Sequence, residues 1–142
     1  MKPFCPKSTS YLKPGHFWSI PIDDDRFGCG VVLALHLNRE GKRETRSFLA
    51  GLLDWNGDAP PRASEIENRE VIATRFAHIK AITMSGGEII GEVVPWWEWP
   101  LEVSGRDDIP TAGYNVLNLL AKKHATLAAT TKGEQDASGN RR

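Results

Sequence analysis

Long apolar runs are missing from this chain, and with them the roughly 20 residues that a membrane-spanning helix needs. Surplus charge is missing too. The 18 basic and 18 acidic residues leave a formal net charge of +0. That speaks against a general nucleic-acid binder, whose affinity rests on a net basic surface, and leaves room only for a local basic patch. Cysteine is scarce: Cys5 and Cys29 stand far apart and form no Cys-x-x-Cys. They read as reduced thiols rather than as a structural disulfide. The start Met1-Lys-Pro-Phe-Cys-Pro6 carries no apolar run after its lysine, so no signal peptide is expected. These absences predict a soluble, cytoplasmic chain.

Reaction chemistry is missing as well. None of His16, His36, His78 and His124 has the His-x-x-x-His spacing of a metal site. There is no Walker loop, no Gly-x-Gly-x-x-Gly and no Gly-x-Ser-x-Gly. Gly28-Cys-Gly30 begins like a phosphate-binding loop, but it lies within a predicted strand and no helix follows. As a nucleophile Cys29 would need a base that the sequence does not place; as a small apolar strand residue it needs nothing. His36, at a strand end, and His78, between apolar neighbours, read as structural histidines. No catalytic residue, metal ligand set or cofactor is expected, and the chain does not read as an enzyme.

What is present is a globular composition. With 40% hydrophobic and 25% charged residues in 142, a single domain can bury about 68–70% of its unfolded surface. Lys13 to Leu35 organises it. Trp18, Ile20 and Ile22 alternate onto one face of a first strand, and Asp23 to Arg26 form a polar turn. In the second arm Phe27, Cys29, Val31, Leu33, Leu35 and Leu37 share a face, opposite Gly28, Gly30, Val32, Ala34 and His36. Glycines within an apolar strand predict a bulge, a bend or a close backbone approach.

The rest follows in order. Residues 1–12 read as an irregular, mobile lead-in. Asn38 to Glu44 is a charged turn, and a third strand runs from Thr45 to Leu53. Its faces are Phe48, Ala50 and Leu52 against Leu49 and Leu53, so both should be covered. Asp54 to Pro61, with Asn56-Gly57 and a double proline, predicts a surface loop. Ser64 and Glu67 have capping-box spacing. Between Val71 and Met84 a strand is expected over the second half, because Ser85-Gly-Gly-Glu88 reads as a hairpin turn. Glu88 to Val94 is a further strand. Pro95 to Leu101 is an edge strand or extended loop, since proline has no ladder donor. Thr111 fits a helix N-cap. Leu117, Leu120, Ala121 and His124 then follow helical spacing. The expected fold is α+β. A strongly bent, mainly antiparallel sheet of about six strands closes into an SH3-like partial barrel with a C-terminal helix. The single domain spans 13–130, and 131–142 reads as a disordered tail.

Two features stand out. Asp23, Asp24 and Asp25 put three like charges on a hairpin tip, which can meet a basic partner, bind calcium or simply be solvated. Trp96-Trp97-Glu98-Trp99 cannot send all three indoles to one side of an extended segment. If Trp97 points inward, Trp96 and Trp99 are the more exposed. Exposed tryptophan anchors interfaces for about 2 kcal/mol or more, and core burial contributes a similar ~1.5–3 kcal/mol. Packing and partner binding both stay open.

Pro14-Gly-His-Phe-Trp-Ser-Ile-Pro-Ile22, the aspartate turn and Arg26-Phe-Gly-Cys-Gly-Val-Val-Leu33 together resemble the immunity protein 26 family of bacterial polymorphic-toxin systems. That family opens with a glycine, an apolar-aromatic strand ending in Ile-Pro-Leu or similar, a short polar turn and an aromatic-Gly-x-Gly-x-Val strand. Ile89-Ile90-Gly91-Glu92 resembles its later Val-Ile-Gly strand. The resemblance covers roughly residues 13 to 100. It departs at His16, where the family commonly has an acidic residue, and it leaves the C-terminal helix and tail uncovered. It implies a non-catalytic cytoplasmic protein that neutralises a cognate toxin, often a nuclease, by binding it. Asp23, Asp24 and Asp25, joined by Asp107 and Asp108, would then face the toxin's basic surface, with Trp96, Glu98 and Trp99 as further contacts. No membrane or direct nucleic-acid partner is expected, and the oligomeric state stays open. Two other readings remain. One is an SH3-like barrel that binds or cuts RNA in a toxin–antitoxin pair, which a polyanion resin would retain in a salt-sensitive way. The other is a plain protein-interaction module.

Overall fold

Alternation of Phe17 and Ser19 with Trp18 and Ile20 builds the first strand of the computed structural model, which describes residues 1–105, 108–113 and 115–127. Strand β1 (His16–Asp23) turns at Asp24 and Asp25 into β2 (Arg26–Leu37), with Trp18 opposite Gly30 and Asp23 opposite Arg26. Strand β3 (Arg43–Gly57) returns along β2, and β4 (Val71–His78) returns along β3. Strand β5 (Ile89–Glu92) pairs antiparallel with the other side of β1. Two short strands join in parallel: β6 (Glu102–Ser104) on β2 and β7 (Thr111–Ala112) on β4. The order is β5-β1-β2-β3-β4-β7, with β6 attached to β2 beyond the end of β1. The sheet is open, since β5 and β7 do not pair. Bulges between Gly28 and Gly30, Val32 and Ala34, and Leu35 and Leu37 bend it. Helices α1 (Ala63–Ile66) and α2 (Lys80–Thr83) are single turns, and a longer C-terminal helix, α3, covers 116–127. The expected architecture, a bent and mainly antiparallel sheet with a C-terminal helix, is the one observed.

Each face of the sheet carries its own core. The first gathers Trp18, Ile20, Val32, Phe48 and Leu52 under Ala81 and Ile82 of α2, Leu117 and Ala121 of α3, and Leu12 of the lead-in. The second gathers Phe17, Cys29, Val31, Leu33, Leu49 and Leu53 under Ile66 of α1, Trp96, Trp97 and Trp99. Gly30 is required by the first core. A Cβ there would sit 2.3 Å from the Trp18 ring, a contact that side chains do not make. The lead-in is irregular apart from one 3-10 turn at Thr9–Tyr11. Phe4 and Ile89 exchange two backbone hydrogen bonds, and the buried Thr9 hydroxyl donates to the Glu44 carbonyl.

Several local expectations need correction. Leu35 does not share the face of Cys29: the bulge between Val32 and Ala34 flips it into the first core. Asn56-Gly57 does not end the third strand. Both residues stay in β3 opposite Gly28 and Phe27, and Trp55 packs into the second core. The capping contact lies two residues earlier than Ser64 and Glu67, where the Glu65 carboxylate accepts from the Arg62 backbone N–H at 3.0 Å. Between Val71 and Met84 the strand occupies the first half, because β3 pairs there, with Leu49 opposite Phe76. The second half is α2. The His78 imidazole accepts the Lys80 N–H and turns the chain over the first core. Ser85 to Glu88 is therefore a helix-to-strand connection rather than a hairpin. Thr111 is no helix cap either, since it pairs with Phe76 of β4. The tail expected over 131–142 lies outside the described residues.

Candidate functional site

Pro95 and Pro100 keep the segment between β5 and β6 out of the hydrogen-bond ladder, so its tryptophans must satisfy the sheet by other means. They do so with their indoles. The β1 side of β2 loses its partner beyond Gly15, whose N–H reaches the Val32 carbonyl at 2.9 Å. It regains one at Leu101, whose carbonyl takes the Leu35 N–H at 2.8 Å. Between them the Leu33 carbonyl accepts Trp97 Nε1–H at 2.9 Å. The indole thus fills the missing rung. Trp96 meets Trp97 edge-on at 5.0 Å and donates its Nε1–H to the Arg69 carbonyl at 2.9 Å. Trp99 packs on the same core, and all three indoles are half-buried.

This strap turns other residues outward. Val94 is 86% exposed and Leu101 69%, the two most exposed large apolar residues of the described chain. Pro95, Glu98 and Pro100 are exposed between them. Two nearby carboxylates are paired, Glu92 with Lys13 at 2.8 Å and Glu102 with Arg43 at 3.5 Å.

Asp23, Asp24 and Asp25 are all exposed at the β1–β2 turn. Asp58 joins them, because Gly57 lies opposite Phe27. The neighbouring Arg26 guanidinium donates to the Asn56 side chain rather than to an aspartate. Asp108 is exposed but remote: Pro110 close by accepts the Phe76 N–H near the far end of β4, where His78 pairs with Ser47. The turn and Asp108 thus sit at opposite ends of the sheet and form no single acidic patch. Asp107 lies outside the described residues. Among the described residues no three His, Cys, Asp or Glu side chains are placed to hold a metal ion. Cys29 is fully buried, and burial pushes its thiol pKa up, so it packs as a neutral apolar side chain.

Sequence reasoning missed a third feature at the end of the sheet opposite the turn. An open cleft of about 690 Å³ is lined by His36, Asn38, Glu44, Phe76, Gly105 and Ile109 among others. His36 Nδ1 lies 2.9 Å from the Ser47 hydroxyl, and the ring stacks on Phe76 at 4.3 Å. The pinned ring turns its Nε2 edge towards Gly105, where a Cβ would lie 3.5 Å away. Burial holds this imidazole below its ordinary pKa, against a smaller upward pull from Glu44. No spacing signal announces the cleft, because its walls come from β2, the β2–β3 turn, the start of β3, β4 and the segment after β6.

A family model described as Immunity protein 26 matches residues 13–108, from the residue before Pro14-Gly15 through the strap and β6. No curated protein and no solved structure matches the chain.

Proposed function

The chain belongs to the immunity protein 26 family, and from that premise we propose that it binds and neutralises a cognate bacterial toxin in the cytoplasm without catalysis of its own. The family match over strands β1 to β6 and the strap carries this reading. The proposed toxin is a nuclease with a basic nucleic-acid face. Asp23, Asp24 and Asp25, exposed on a hairpin tip beside Asp58, would steer such a face into encounter. Electrostatic complementarity of this kind acts chiefly on association rate and on specificity.

The experiment is affinity capture from the native host, followed by a protection assay. A stoichiometric partner carrying a toxin domain, whose lethality the chain suppresses, supports the reading. Retention of nucleic acid without a protein partner overturns it. Reversing Asp23, Asp24 and Asp25 to lysine should slow association about tenfold at low salt and flatten its salt dependence. Unchanged protection would remove the turn from the interface.

A further inference from the structure

The tryptophans of the strap are poor candidates for the partner's anchor. The indole donors of Trp96 and Trp97 face inward, on the Arg69 and Leu33 carbonyls. A partner replacing those contacts would strip carbonyls of their donors. The strap instead presents Val94, Pro95, Pro100 and Leu101 to solvent, around Glu98. Covering the second core does not require apolar residues on the outer side of the cover. Serine or lysine would serve there equally well, yet the two most exposed large apolar side chains of the described chain stand at the two ends of this one short segment, with exposed prolines beside each. Its charges narrow the choice. Glu92 and Glu102 have internal cations in Lys13 and Arg43, whereas Glu98 has no ion-pair partner among the described residues. The strap also lies wholly within the family-matched segment.

We propose that the outer side of the strap is the contact that sets the lifetime of the toxin complex: Val94 and Leu101 grip an apolar patch on the toxin, and Glu98 between them meets one cation at its centre. This rests on the immunity reading and divides the labour. The aspartate turn governs how fast the toxin arrives, and the strap governs how slowly it leaves.

The probe is the purified toxin domain recovered by the capture above, with association and dissociation followed separately. Val94→Asp and Leu101→Asp change side chains that already face water, so melting should stay near that of the parent chain. Dissociation should accelerate about tenfold or more for each, with little change in association. Glu98→Lys should weaken binding in a salt-dependent way. Leu119→Asp on α3, 59% exposed and outside the family match, is the control and should change nothing. A photo-cross-linking residue at position 94 should join the toxin domain in the parent background, which guards against a variant that misfolds. Unchanged dissociation with no cross-link from position 94 overturns the strap contact while the immunity reading stands. Capture of no toxin domain at all overturns both.

Discussion

One face of the sheet is roofed by α2, α3 and the lead-in, the other by an irregular strap beside the single turn α1, and the two use tryptophan in opposite ways. On the helix side Trp18 is fully buried, and its indole N–H has no partner. It contributes volume alone, pressed against Gly30 and edge-on to Phe48 at 5.9 Å. On the strap side Trp96 and Trp97 remain half-exposed, yet both indole donors are used on backbone carbonyls. The strap has no backbone regularity to hold it, so side-chain hydrogen bonds supply what a helix obtains from its own ladder. The family match covers the strap but neither α3 nor the first twelve residues. The strap and α2 therefore both lie within the family-matched segment, and of the helix-side roof only α3 and the lead-in fall outside it.

Trp18→Ala should break the helix side most severely. A large buried side chain is lost with little prospect of collapse, at about 3–5 kcal/mol in denaturant unfolding. Trp97→Phe and Trp18→Phe sharpen the contrast. Trp97→Phe keeps most of the ring but leaves the Leu33 carbonyl without its donor, costing about 1–3 kcal/mol. Trp18→Phe removes an unsatisfied donor along with part of the ring, so its cost should fall below that of Trp97→Phe despite deeper burial. The reverse order would show that volume, not hydrogen bonding, governs both faces.

Acid should strain both sides. His16, His36 and His78 all have pKa values lowered chiefly by burial. His16 and His78 each use Nδ1 to accept a backbone N–H, from Lys13 and Lys80. Protonation would abolish those acceptors. The folded chain therefore binds fewer protons than the unfolded one. Stability is full above the ordinary histidine value of about 6.5 and is lost as pH falls through the lowered folded values. Melting temperature should drop between neutral pH and pH 5, and His16→Gln should flatten the drop. The smallest effect belongs to His124 of α3, 3.0 Å from an Asp54 side chain that is half-exposed. His124→Ala should change stability by about 1 kcal/mol or less.

Much of this contrast was legible in the sequence. The period-two pattern correctly separates Trp18 and Ile20 from Phe17, and Phe48, Ala50 and Leu52 from Leu49 and Leu53. It fails where one extra residue enters the ladder. The bulge after Val32 moves Leu35 to the opposite face, and nothing in the side chains announces it. It fails again where pairing is remote. The partners of β6 and β7 lie far back in the chain, so Thr111 looked like a helix cap rather than a residue beside Phe76. Asn56-Gly57 has strong turn chemistry, but a place opposite Gly28 and Phe27 overrides it. For the candidate site, exposure of the aspartate turn was readable from composition. The inward aim of the Trp97 donor was not, because it depends on a gap in the edge of β2 that exists only once the sheet has formed.

That gap also orders events in time. Strands β1 to β4 join through hairpins and nearby returns, whereas the rung at Leu33 and the bond between Leu35 and Leu101 must each close a long stretch of chain. Contacts of large sequence separation form late and open readily. The Leu35 amide should therefore trade its proton with solvent earlier than its neighbours at the centre of β2, a local clock for how often the strap lifts away.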